Sequence, residues 1–321
     1  MDIAVTRDAA ISAEDDALRA LLAYLAAHDY EFVTPTPATH ARVLARRRHA
    51  KPGPATLRDI FGWSAPFDLA DVPPEVLALL KQAKIMQPVG YQYKSLVRVS
   101  SLEGMLLLHS SYPTEAANAV FFGPDTYRFC CFIRRHARRD AHLRILDVGC
   151  GSGAGALTAV HASGSGQAAV MNDTNPLALR YARINAAHAG IATTELLAGS
   201  LASARSDFDL IVANPPYLHD DSERTYRHGG ERLGRALSVR MAQDAIAHLA
   251  PGGTLLLYTG VAIVDGVDHL LEELLPLLVA HDMQWTYDEL DPDVFGEELE
   301  REIYAQAERI AVTGLVATKR L

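Results

Sequence analysis

Residues 143–153 read Leu-Arg-Ile-Leu-Asp-Val-Gly-Cys-Gly-Ser-Gly, a short apolar run that leads into three glycines at alternate positions. This pattern predicts a buried strand, a tight loop and a following helix. Glycine lets the backbone adopt left-handed conformations and lets a ligand approach without meeting a Cβ atom. Gly149, Gly151 and Gly153 are therefore candidate ligand-binding residues. The same spacing also fits a dinucleotide-binding fingerprint or a purely structural turn.

The alternation of strand, turn and helix continues from this loop to residue 321. Further strands are predicted at Ala168–Asn172, Phe208–Ala213, Thr254–Tyr258 and Arg309–Thr318, and helices at Ala154–His161, Asn175–Ala189, Leu233–Leu249 and Val267–Leu278. The alternation predicts an α/β fold with a doubly wound, Rossmann-like sheet. Such sheets bind ligands beyond the carboxyl ends of their strands.

The first third of the chain has a different pattern. Helices are predicted at Ala17–His28, Ala38–Ala50 and Pro73–Ala83, followed by short strands around Tyr91–Ser100 and Gly104–His109. This order fits a mainly helical, winged-helix-like module. We therefore expect two domains, an N-terminal cap of residues 1–115 and a ligand-binding domain of residues 116–321.

Polar residues stand at three of the predicted strand ends. Asp147 can face an ammonium group, and Asp173 can accept both hydroxyls of a ribose or act as a helix N-cap. The predicted strand Phe208–Ala213 runs directly into Asn214-Pro215-Pro216-Tyr217. The Asn214 side-chain oxygen and the Pro215 carbonyl can accept the two hydrogens of a planar –NH2 group. Tyr217 offers an aromatic face to a flat substrate or a sulfonium cation.

Composition and charge narrow the classes of function. With 49% hydrophobic and 21% charged residues the chain is globular, and its apolar runs are too short to cross a membrane. It shows no secretory signal, and its three cysteines lack metal-ligand spacing, so we expect a cytoplasmic protein without a metal. Residues 1–140 carry 17 Lys/Arg and 15 Asp/Glu, whereas residues 141–321 carry 13 and 24. This acidity favours a protein or small-molecule partner over nucleic acid.

Taken in order, Asp147–Gly153, Asp173 and Asn214–Tyr217 resemble the class I S-adenosylmethionine-dependent methyltransferases. The closer resemblance, over about residues 121–321, is to the small-domain group, whose members methylate the glutamine amide of release factors or exocyclic amines of ribosomal RNA bases. It implies S-adenosylmethionine as cofactor, with Asp147 and the glycines around its methionine part and Asp173 on its ribose. It also implies Asn214 and Pro215 at the acceptor nitrogen.

Two further cofactor contacts are implied by the resemblance. The segment 120–126 resembles the one that these enzymes place over the cofactor, so Thr126 is a candidate contact. Members often carry an acidic residue near the adenine after the third strand. This chain has Gly199-Ser200-Leu201 there, which leaves Ser200 as the candidate.

The sequence thus predicts an N-methyltransferase that acts on a planar amine or amide nitrogen of a protein side chain or small metabolite. One alternative is an enzyme of secondary metabolism that consumes S-adenosylmethionine by cyclisation or by elimination releasing methylthioadenosine. Others are a ribosomal RNA base methyltransferase and a non-catalytic nucleic-acid-binding module. A nicotinamide oxidoreductase is least favoured, because the Asn-Pro-Pro-Tyr tetrad has no task in hydride transfer.

Overall fold

Helices and strands alternate along a computed structural model that describes residues 12–47, 53–166, 168–198, 201, 207–221 and 224–321. The helices are α1 (Ala13–Ala27), α2 (Pro37–Arg47), α3 (Leu57–Phe61), α4 (Pro74–Gln82), α5 (Pro124–His136), α6 (Ala154–Ser163), α7 (Pro176–His188), α8 (Ala236–His248) and α9 (His269–Ala280). The strands are β1 (Met86–Val89), β2 (Gln92–Ser95), β3 (Val97–Leu102), β4 (Met105–Ser110), β5 (Ile145–Val148), β6 (Ala169–Asp173), β7 (Thr193–Ala198), β8 (Phe208–Ala213), β9 (Leu249–Val264), β10 (Met283–Asp291) and β11 (Ala307–Lys319).

Seven strands form one central sheet in the order β10-β11-β9-β8-β5-β6-β7. The five strands from β9 to β7 in this order are parallel, and β11 runs antiparallel between β9 and β10. The direction in which strands are added reverses beside β5. The chain first adds β6 and β7 on one side of this strand and then β8 and β9 on the other. Such a reversal opens a crevice at the carboxyl ends of the neighbouring strands. The sheet and its topology confirm the predicted Rossmann-like fold class.

Both faces of the sheet are covered by helices, as the near-continuous apolar run of β5 requires. Ile145 faces a buried cluster that includes residues of α5, α6 and α7. Leu146 and Val148 face the opposite cluster, which includes residues of α8 and α9. Asp147, which points to the α6 side, is therefore a carboxylate within an otherwise apolar strand. Its position already marks it as a residue with a task other than packing.

The N-terminal helices and two small hairpins form a third buried cluster, which also includes Ala178, Tyr181 and Ile184 of α7. At its edge Asp15, only 3% exposed, pairs with Arg180 and Arg183 of α7. The helical N-terminal region is present as expected. Because its core includes a helix of the central sheet, the domain boundary at residue 115 stays a prediction.

Several features differ from the expected secondary structure, and two strands that were not predicted are β1 (Met86–Val89) and β7 (Thr193–Ala198). The strand predicted at Tyr91–Ser100 is interrupted at Leu96, since β2 pairs with β1 and β3 pairs with β4. Strand β10 was not predicted, because it lies at the sheet edge and most of its residues are exposed, so that it lacks an apolar run. The last residues of the helix predicted at Ala38–Ala50 lie outside the described ranges.

Within the described ranges, no helix is both long and apolar enough to cross a membrane. Over the same residues, no group of three or more His, Cys, Asp or Glu side chains is arranged to hold a metal ion.

Candidate functional site

The glycine loop follows β5 and turns back on itself at the carboxyl edge of the sheet. Gly149, Gly151 and Gly153 have φ values of +73°, +53° and +82°, which side chains rarely adopt. The amides of Gly149 and Cys150 both donate to the Asn172 carbonyl at 2.9 Å, which attaches the loop to the end of β6. The three glycines are thus required by the backbone conformation of the turn.

Asp173 ends β6 directly beside this loop. Its Oδ2 accepts from the Gly151 amide at 2.9 Å and its Oδ1 from the Asn175 amide at 2.8 Å. Burial raises the pKa of its carboxyl group, whereas these backbone donors lower it. The N-cap of α7 is Asn175, whose side chain accepts from the Leu177 amide. The alternative interpretation of Asp173 as a helix N-cap is therefore wrong, and its oxygens keep lone pairs for a ligand.

Asp147 lies beneath the loop and is 1% exposed. Its Oδ2 accepts from the Ala156 amide at 2.8 Å, in the first turn of α6. Burial raises its pKa to about 7, and the nearby Asp173 charge acts in the same direction. The carboxyl group therefore changes its charge near neutral pH, and a cation that reached it would favour the ionised form.

Asn185 of α7 binds the glycine loop to the N-terminal region. Its side chain is 0% exposed, accepts from the Leu108 amide at 2.8 Å and donates to the Leu108 carbonyl at 3.0 Å. The same Nδ2 donates to the carbonyl of Ser152 at 2.8 Å. One amide side chain thus joins the β4 hairpin of the N-terminal region to the glycine loop.

The Asn-Pro-Pro-Tyr tetrad follows β8, the neighbour of β5 on the other side. Asn214 is half-buried, and Tyr217 is 6% exposed with its ring packed against the backbone of Gly260 on β9. A Cβ atom at Gly260 would lie 2.2 Å from that ring, so no other residue leaves room for Tyr217 in this position. The tetrad is rigid, because its prolines are backed by a packed aromatic ring.

A buried carboxylate that the sequence did not single out contacts the tetrad and lines the same cavity. Asp125, in the first turn of α5, accepts from the hydroxyl groups of Tyr217 and Tyr258 at 2.8 Å each. It also accepts from Asn214 Nδ2 at 3.3 Å. The one available signal was its place beside Thr126 in the segment 120–126. An acidic residue in a first helical turn is explained equally well by the helix dipole, so the sequence alone could not identify it.

The segment after the tetrad folds back over the cavity and is held by ion pairs. Arg224 makes a bidentate contact to Asp220, whose pKa is lowered to about 2 chiefly by this hydrogen bonding. Arg227 pairs with Glu298, which lies within the short 3-10 helix Gly296–Glu300. Thr225 donates to the carbonyl of Ala117 at 3.0 Å. These contacts hold in place Thr225 and Arg227, which line the cavity next to the tetrad.

One cavity of about 520 Å³ joins the loop, Asp173 and the tetrad. Of the candidate residues, those that line it are Thr126, Gly149, Gly151, Asp173, Asn214, Pro215 and Tyr217. Asp147 and Gly153 lie beneath the lining, and Ser200 is outside the described residues. Cys150, whose thiol pKa is raised by burial, and apolar side chains such as Phe129, Leu201 and Met241 complete the wall.

This lining fits S-adenosylmethionine. The volume lies within the range of small-molecule sites, and the wall is largely apolar with a few convergent polar groups. A Cβ atom at Gly155 would lie 2.8 Å from Asp147 Oδ2. Glycine at this position therefore lets the start of α6 lie against that carboxylate. The carboxylate of Asp173 lines the cavity and suits hydroxyl groups, whereas the carboxylate of Asp147 lies beneath the glycine loop and outside the lining.

Comparison with known proteins gives a consistent result. Residues 132–274 match the family model of the methyltransferase small domain. The release factor glutamine methyltransferase of Koribacter versatilis is 30% identical over 188 residues, which are 54% of this chain and 62% of that protein. Ribosomal RNA small subunit methyltransferase C of Sodalis glossinidius is 34% identical over 113 residues, 35% of this chain and 29% of that protein.

The crystal structure of Trm5b from Pyrococcus abyssi matches with a TM-score of 0.50 at 13% identity, over 77% of this chain and 68% of that one. At this identity the likeness shows the fold alone. The chain spans less than two thirds of the length of the release factor glutamine methyltransferase that it matches. The matches confirm the predicted resemblance, and with it the cofactor that the resemblance implies, S-adenosylmethionine.

Proposed function

Since residues 132–274 match the methyltransferase small-domain family, we propose that the protein is an S-adenosylmethionine-dependent N-methyltransferase for a planar amide or amine nitrogen. The observation that carries the proposal is the shared cavity, which is lined both by the glycine loop with Asp173 and by Asn214 with Pro215. A ligand held by the first group is within reach of an acceptor held by the second.

On the cofactor side, the proposal assigns the ribose hydroxyls to Asp173 and the methionine part to the glycine loop and Asp147. Thr126 and Ser200 remain proposed contacts from the family resemblance. The cofactor supplies a methyl group on a cationic sulfur. The residues of this side bind and orient it, and the apolar wall excludes water from the reacting atoms.

On the acceptor side, the Asn214 oxygen and the Pro215 carbonyl accept the two hydrogens of the target nitrogen. An amide nitrogen is a poor nucleophile because its lone pair is delocalised into the carbonyl group. Two acceptors in fixed positions hold the nitrogen so that its lone pair faces the methyl group. The rigid prolines and the packed ring of Tyr217 keep those acceptors in place.

For the acceptor we propose a glutamine side-chain amide of a protein. Two observations support this choice. The region from residue 141 to 321 has 24 acidic against 13 basic side chains, which disfavours a phosphate backbone, and the relative matched over 188 residues is a release factor glutamine methyltransferase.

The test combines calorimetry with product analysis. The protein should bind S-adenosylmethionine and transfer its methyl group to a bacterial release factor, with mass spectrometry placing the added mass of about 14 Da on a glutamine. A ribosomal RNA fragment and buffer alone are the parallel incubations. Methylation of the RNA fragment would show that the acceptor is an RNA base and not a protein side chain. Methylthioadenosine formed in buffer alone would support the elimination reaction. Absence of cofactor binding would contradict the whole proposal.

A further inference from the structure

Asp125 is a buried carboxylate with three hydrogen-bond donors around it. It is 7% exposed, and neither the family resemblance nor the sequence pattern gave it a role. Both tyrosine hydroxyls, of Tyr217 and Tyr258, donate to Oδ1, whereas Asn214 Nδ2 donates to Oδ2. The two oxygens of one carboxylate are thus divided between the tyrosine pair and the amide of the tetrad.

This division fixes which end of the Asn214 amide faces the cavity. A carboxylate only accepts hydrogen bonds, so the amide must turn its nitrogen toward Asp125. With the amide rotated by about 180°, two oxygens would face each other. A hydrogen bond to a charged group is strong enough to favour the observed orientation by about tenfold or more. Among the described residues, none donates to Asn214 Oδ1, which is therefore left for a ligand of the cavity.

The carboxylate itself is held in place from outside the cavity. Tyr258 belongs to β9 and does not line the cavity, yet its hydroxyl reaches Oδ1. Burial raises the pKa of Asp125 above its usual value, and the three donors together with the charge of Arg128 oppose this shift by favouring the ionised form. Over the described residues, the carboxylate has no arginine or lysine in ion-pair contact. Its charge is stabilised by donors of fixed direction, which is the arrangement that sets an orientation.

We propose that Asp125 is the positioning residue of the acceptor site: by accepting from Asn214 Nδ2 it presents Asn214 Oδ1 to the N–H groups of the acceptor. The inference rests on the proposed N-methyltransferase function. It adds that selectivity for a nitrogen acceptor depends on Asp125, which lines the same cavity and acts through the orientation of Asn214. An acceptor with two N–H hydrogens is preferred because both facing groups, Oδ1 and the Pro215 carbonyl, are acceptors.

The test uses Asp125→Asn, which keeps the size of the side chain. The tyrosine hydroxyls still require an oxygen at Oδ1, so the new –NH2 group takes the Oδ2 position and faces Asn214 Nδ2. Asn214 then rotates and presents its own –NH2 group to the acceptor. We expect turnover of the release factor to fall about tenfold to hundredfold, with the calorimetric Kd for S-adenosylmethionine within about twofold of the wild type.

The double variant Asp125→Asn with Asn214→Asp distinguishes orientation from a general structural effect. The amide introduced at position 125 donates to one oxygen of the carboxylate introduced at position 214, and the other oxygen of that carboxylate faces the cavity as an acceptor. We expect the double variant to recover turnover relative to Asp125→Asn, whereas Asn214→Asp alone, with two facing carboxylates, stays low. Asp282→Asn, at an exposed ion pair with Arg320, is the matched control for loss of one negative charge.

Unchanged turnover in Asp125→Asn, or no recovery in the double variant, would overturn the positioning role. Should Asp125→Asn fail to fold, Tyr258→Phe tests the same contact from outside the cavity. It should lower turnover about threefold to tenfold without a change in cofactor Kd, and unchanged turnover would overturn the role as well. Wild-type protein that binds the cofactor but methylates nothing would instead refute the proposed function.

Discussion

The two sides of the cavity are built in different ways. On the cofactor side, contacts run largely between a side chain and nearby backbone, as from the Gly151 amide to Asp173, 22 positions away. On the acceptor side they run between side chains far apart in sequence, such as Tyr258 and Asp125, separated by 133 positions. Apart from the anchor that Asn185 provides, the cofactor side is therefore a local property of strand ends and turns. The acceptor side exists only once the whole sheet is assembled.

Asn214→Ala should produce the largest difference between the effect on turnover, which reports on the acceptor side, and the effect on cofactor binding, which reports on the cofactor side. Loss of the acceptor oxygen should lower turnover at least about a hundredfold, which is typical for removal of one preorganised polar group. Cofactor binding should stay nearly unchanged, because Asp173 and the glycine loop are untouched. Single-turnover kinetics and calorimetry measure the two quantities. Comparable turnover in the variant would show that the tetrad does not hold the acceptor.

Asp173→Asn should have the opposite and somewhat smaller effect. The amide keeps one oxygen but loses the charge that suits two hydroxyl groups, so the Kd for S-adenosylmethionine should rise about tenfold or more. Turnover at saturating cofactor should remain close to that of the wild type. Asp282→Asn serves as the remote control. An unchanged Kd would remove Asp173 from the ribose site.

Asp147 offers the smallest and most selective test, since its predicted contact depends on pH. Its pKa of about 7 means that the carboxyl group is largely protonated at pH 6. If the cofactor ammonium faces it, binding favours the ionised form and a proton is released. Affinity then rises, by less than about tenfold, as the pH increases from 6 to 7. Calorimetry in buffers of different ionisation enthalpy measures the proton. Equal proton release by Asp147→Asn would contradict the contact.

The same contrast explains what the sequence could predict. Gly149, Gly151 and Gly153 follow an apolar run directly, and their positive φ angles are a local requirement that the sequence expresses. Asp173 and Asn214 were identified because each stands at the end of a predicted strand, and the topology of a parallel sheet brings such ends together. The fold class needed no information beyond that alternation.

The unpredicted parts depend on distant contacts. Asp125 gains its meaning only from Tyr258, whose place on a sixteen-residue strand does not reveal which way its hydroxyl points. Gly260 carried a weak signal, since a glycine within an apolar strand often marks a close approach. The sequence did not say that the approaching group is the ring of Tyr217. The ion pairs of Arg224 and Arg227 likewise lie in a loop without periodicity.

Asn185 has a consequence for how the molecule would report ligand binding. Its side chain occupies both hydrogen-bonding groups of Leu108 and also the Ser152 carbonyl, so the glycine loop and a backbone amide of the N-terminal hairpin share one anchor. A ligand that stiffens the glycine loop also limits opening of the hydrogen bond at the Leu108 amide. The rate of hydrogen exchange at the Leu108 amide should therefore fall when a ligand fills the cavity, so exchange in this hairpin reports whether the ligand is bound.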